Sequence, residues 1–187
     1  MVGDLGRNFC ITTSAWRTGT IAAITRRLNL IFGLLIGVMW MGDVIFGNLG
    51  DTTVLGNFRT FHFHAYRVVG RSFISGALLL TGFAGLFSAY RSCSIQKGLS
   101  VGVWSGLISG AMTFTSIMVL TIIFRNALLL APSNVKEFAG SAEAMFGNAF
   151  WAGFNHMWIG PLLGVSLGGV GAVSGKWLRK LLFVALA

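Results

Sequence analysis

Four stretches of this chain run for about the length of a bilayer crossing almost without charge, and shorter basic segments separate them. They cover residues 28–46, 72–90, 99–124 and 149–175. At a rise of 1.5 Å per residue, a helix of about 20 apolar residues crosses the hydrocarbon core. Backbone polar groups in lipid must be satisfied internally, which makes each stretch a helix rather than an isolated strand. The pattern therefore predicts an all-α integral membrane protein. Its core is a four-transmembrane-helix bundle over residues 28–175, flanked by a basic N-terminal segment, 1–27, and a basic tail, 176–187.

Two connections carry patterns of their own. In "NFRTFHFHAYRVVGR", residues 57–71, Phe58, Phe61, Ala65 and Val68 share one helical face. Thr60, His64, Arg67 and Arg71 share another, which predicts a short helix lying along the membrane surface. After Pro132, which is expected to break the third span, Asn134 with Glu137 three residues on resembles a helix cap. Phe138, Ala142, Met145 and Phe146 then predict a second interfacial helix leading into the fourth span.

Small residues recur every fourth position. Gly98, Gly102, Gly106 and Gly110 form a stripe in span three, and Gly160, Gly164, Gly168 and Ala172 form another in span four. Shorter versions are Gly33 with Gly37, and Ala77, Thr81, Gly85 with Ala89. In water each interior glycine weakens a helix by roughly 1 kcal/mol relative to alanine. In lipid the helix persists regardless, and small residues let two backbones approach closely. These stripes are expected to be helix-packing faces, either within the chain or against a neighbour.

Composition sharpens the class. The chain has 187 residues, 55% hydrophobic and 10% charged, against about 25% charged in an average soluble domain. The net charge of +9 does not point to nucleic acid, because the basic residues alternate with apolar spans instead of forming one surface. Their expected partners are membrane lipids. Arg7, Arg17, Arg26, Arg27, Arg91, Lys97, Lys176, Arg179 and Lys180 fall on one side, and Arg59, Arg67, Arg71, Arg125 and Lys136 on the other. The more basic side faces the cytoplasm, so both termini are expected there. Cys10 and Cys93 then lie on the reducing side, where a disulfide is not expected. No cleavable signal peptide is apparent. A bacterial inner membrane is the expected location, with an organelle inner membrane as the alternative, because the Ser- and Thr-rich N-terminus shares the bias of a transit peptide.

Candidate chemistry is sparse. "GVSLG", residues 164–168, matches the nucleophile-elbow pattern, but that motif needs a strand–turn–helix and here lies in an apolar span. "GVGAVS" fails the dinucleotide fingerprint because Ser174 takes the place of its last glycine. The three histidines, His62, His64 and His156, are expected near the outer end of the bundle, where they are candidate ligands for a metal, a haem or a chlorophyll-type pigment. His62 and His64 cannot share a metal on a helix, since they point about 200° apart. Asp43 is a polar intramembrane candidate, paired with Arg71, Arg125 or a histidine, or lining a cation path. Pro161 beside Gly160 is a candidate helix break. His64, Arg67 and Arg71 form a candidate site for a lipid headgroup or another anion.

Three functional expectations follow. The first is a non-catalytic multi-pass subunit, not an enzyme, that packs through glycine-rich faces within a larger membrane complex of respiratory or photosynthetic type, or with itself, and holds structural lipids. The second is a small-solute or ion transporter using Asp43 and the break at Pro161. The third is a haem, metal or pigment binder using the histidines.

Overall fold

The computed structural model describes residues 16–57 and 63–185, without the side chains of residues 16–22, 24, 63–66 and 183. Among these described residues six helices follow in order: α1 (Trp16–Leu49), α2 (Phe63–Ser92), α3 (Ile95–Ile123), α4 (Arg125–Leu129), α5 (Pro132–Phe138) and α6 (Ala142–Ala185). A single 3-10 turn, Thr53–Leu55, follows α1. Among the described residues there is no strand. Helices α1, α2, α3 and α6 are each long and apolar enough to cross a membrane. The protein is an all-α membrane bundle, as the hydrophobic pattern predicts.

The spans are longer than their apolar cores. Helix α6 has 44 residues, roughly 66 Å at the α-helical rise, whereas a bilayer core is about 30 Å. Four spans put both described chain ends at one end of the bundle. That basic end carries Lys97 and Lys176, and the opposite end carries Asp51 and Glu143.

Each helix end has a local cause. Cys93 adopts a left-handed φ of 55° and turns the chain between α2 and α3. Ser94 then caps α3, its hydroxyl accepting from the Lys97 N–H at 3.4 Å. The chain leaves α5 through Ala139 and Gly140, both at positive φ, and the Ser141 hydroxyl accepts from the Ala144 N–H at 3.2 Å to start α6.

Several expectations about the connections change. Residues 63–71 do not form a separate surface helix, because they are the first turns of α2 and continue into the span. The stretch contains no proline, and helix hydrogen bonding therefore has nothing to interrupt it. Phe58, Arg59, Thr60, Phe61 and His62 lie outside the described residues, as does Cys10. Asn134 does not cap a helix. Its Nδ2 donates to the Leu128 carbonyl at 2.8 Å, while Pro132 opens α5 at the first helical position, where its missing N–H costs nothing. The cap comes from far along the chain, with Asp51 Oδ2 accepting from the Ser133 N–H at 3.1 Å. The expected second interfacial helix is two pieces, α5 and the start of α6, divided at Gly140. Phe138, Met145 and Phe146 nevertheless join one apolar cluster with Leu49 and Leu128. Pro161 makes no break, since α6 runs through it. Transmembrane helices tolerate proline where neighbouring helices support the freed backbone.

Packing inside the bundle uses two devices. Helices α3 and α6 form the most extensive contact and touch backbone to backbone. A Cβ added at Gly102 would lie 2.5 Å from the Gly164 carbonyl oxygen, and one at Gly106 would overlap the Gly160 carbonyl. Gly85 of α2 meets Gly168 in the same way. Helix α1 packs by side chains into glycine notches: Ile108 covers Gly33, Met112 covers Gly37 and Phe73 covers Gly42. Phe32, Ile36, Ala77, Ala84 and Val101 form the central apolar cluster.

Candidate functional site

Beside its glycine stripe, α3 carries a second row, Ser105, Ser109 and Thr113 at four-residue spacing with Thr121 eight residues further on, all buried. A hydroxyl in a dry interior needs a partner, and each finds one on its own helix. Ser105 donates to Gly102 O at 3.0 Å, Ser109 to Gly106 O at 2.9 Å, Thr113 to Ser109 O at 2.8 Å and Thr121 to Ile117 O at 2.7 Å. Their hydrogens are committed within α3.

His156 faces this row. It lies at mid-depth and not at the outer end, because its carbonyl packs on Gly110, near the midpoint of α3. Its Nδ1 is 2.8 Å from the Ala152 carbonyl. A carbonyl only accepts, so Nδ1 carries the hydrogen and Nε2 holds the lone pair in the neutral ring. The Trp40 ring meets it edge-on, with centroids 5.6 Å apart. Trp40, Ser109, Thr113, His156 and Ile159 close a niche too tight to admit a water molecule.

Asp43 lies one turn from Trp40 on α1, half-buried, with its carboxylate over Gly70 of α2. Neither Arg71 nor Arg125 pairs with it, and both of those side chains are exposed. His156 lies nearby, its ring against Trp40, which is one turn along α1 from Asp43. The expected pairing with an arginine is not formed, and His156 is the described histidine placed near Asp43.

Arg67 and Arg71 project from successive turns of α2, both exposed. His64 is in the first turn of α2, its side chain undescribed, and His62 lies outside the described residues. Among the described residues no three His, Cys, Asp or Glu side chains converge as a metal site would require. Of the three histidines, His156 is the one whose side chain is described. Ser166 donates to Leu162 O at 2.9 Å within α6 and has no triad geometry around it.

Sequence reasoning missed the outer face of α6. Phe150 and Phe154 stack at 6.3 Å, Trp151 and Phe154 at 6.0 Å, and Phe154 meets Trp158 edge-on at 6.4 Å. Phe114 of α3 extends this ladder to Phe150. Trp151 is 61% exposed and Trp158 is 63% exposed. Their i, i+3, i+4 spacing was visible in the sequence, but spacing does not say which face of a helix turns outward.

No protein-family model, no curated protein and no solved structure matches this chain significantly.

Proposed function

We propose that the chain is a non-catalytic multi-pass membrane subunit that joins other transmembrane helices through the aromatic face of α6. The position of Trp158 carries this reading. Tryptophan favours the membrane interface, where its ring is apolar and its N–H meets a polar partner. Trp158 instead lies level with the middle of α3, between His156, which packs on Gly110, and Gly160, which packs on Gly106. A neighbouring helix would cover the ring and supply an acceptor for the indole. The glycine stripes of α3 and α6 face each other, so this reading moves the partner contact from the glycine faces to the aromatic ladder. A bacterial inner membrane, or an organelle inner membrane, remains part of the reading.

The test is purification in mild detergent, with mass spectrometry of whatever co-migrates and a visible spectrum of the same sample. Wild-type protein should carry a second membrane polypeptide or a second copy of itself. The triple variant Trp151→Ala, Phe154→Ala, Trp158→Ala should run as a folded monomer. A wild-type monomer in mild detergent sinks the proposal.

A second reading, a proton or cation path, draws support from two ionisable groups, Asp43 and His156, inside the apolar bundle. It predicts liposome flux that Asp43→Asn abolishes. Flux unchanged by that substitution rules the reading out.

A further inference from the structure

We propose that the basic end of the bundle holds an anionic lipid headgroup in the corner between the end of α2 and the last turns of α6. Arg179 builds the corner. Its Nη1 donates to the Tyr90 carbonyl at 2.8 Å and reaches the Arg91 carbonyl at 3.4 Å. That contact satisfies terminal carbonyls of α2 and ties α6 beside it.

Four more cations surround this tie. Arg91 lies over the Phe87 ring at 5.6 Å, and Lys97 sits in the first turn of α3. Lys176 and Lys180 are exposed one turn apart on the same side of α6. Arg26 and Arg27, also exposed, extend the charge onto α1. Among the described residues no acid lies at this end, because Asp43, Asp51, Glu137 and Glu143 all belong to the far half of the bundle. Nothing within the described chain neutralises the cluster.

The apolar residues beside the cations select the partner. Helix α6 continues past its contact with α2 at Gly175 and Leu86. There it alternates Lys176 and Lys180 with Trp177, Leu181 and Val184, which are 65%, 59% and 67% exposed. A free phosphate engages only the cations. A phospholipid engages the cations with its headgroup and the indole and aliphatic side chains with its acyl chains. The occupant is therefore an anionic phospholipid.

The experiment is thermal unfolding of the full chain in neutral detergent with added phosphatidylglycerol, phosphatidylcholine or inorganic phosphate at equal concentration. Phosphatidylglycerol should raise Tm by about 3 °C over phosphatidylcholine, and phosphate should not. High salt should erase the gain. The double variant Lys176→Gln, Lys180→Gln should lose at least half of it. Native mass spectrometry of wild-type protein gives a readout that needs no variant, with phosphatidylglycerol retained in preference to phosphatidylcholine. Equal shifts from the two lipids, equal retention, an undiminished shift in the double variant, or a shift reproduced by phosphate would each overturn the proposal.

Discussion

Glycine has opposite meanings at two positions of this bundle. At Gly106 an added Cβ would collide with the carbonyl of Gly160, a rigid backbone atom on the neighbouring helix. At Gly147, also on a helix, an added Cβ meets nothing within 4 Å. Gly106→Ala should therefore destabilise by about 1–3 kcal/mol through overpacking, and Gly106→Leu should abolish the folded monomer. Gly147→Ala should be neutral or stabilising by up to about 1 kcal/mol through helix propensity. Thermal unfolding of the two alanine variants in one detergent distinguishes them, and equal loss would contradict the packing described here. The stripe containing Gly106 was legible from its four-residue period. Its partner was not, because a period specifies a face and not what opposes it. The histidines show the same limit. His156 looked peripheral by position along the chain, but the register of α6 against α3 puts it at mid-depth beside Trp40.

At the scale of elements, the membrane spans were predictable and their junctions were not. Hydrophobic length is a local property, and it survived every tertiary effect. The junctions depend on contacts between distant residues, and Asp51 shows how. It lies 82 positions from Ser133, yet its carboxylate caps α5. Asp51→Ala should cost about 1 kcal/mol, the usual worth of a helix cap. The loss should appear as faster amide exchange at Ser133 and along α5, with the four spans unchanged; unaltered exchange in α5 would refute the cap. The Asn134–Glu137 spacing pointed to a cap in the wrong place, because Asn134 is engaged with the Leu128 carbonyl. Arg67 and Arg71, interleaved with aromatics, suggested an interfacial helix, but lacking a breaker those residues extend α2.

Among the described residues the bundle combines a closely packed inside, where Asn29 Oδ1 is buried without a hydrogen-bond partner, with two outward surfaces. Backbone meets backbone along α3 and α6, and the buried hydroxyls of α3 bond to their own helix. A bundle of this kind can fold before it meets a partner. The aromatic triple variant should accordingly unfold at the wild-type temperature when both are monomers in a harsh detergent, while only wild-type co-purifies with its partner in a mild one. A fall in the variant's monomer stability would mean the ladder serves the fold instead. From the sequence alone came membrane class, span number, helical content and the small-residue stripes, because each follows from local composition and period under the backbone constraint of lipid. Tertiary structure alone decided which stripes meet, how deep His156 lies, what caps α5 and which aromatics face outward. Those depend on helix register and rotation, and both are set by close packing between residues far apart in the chain.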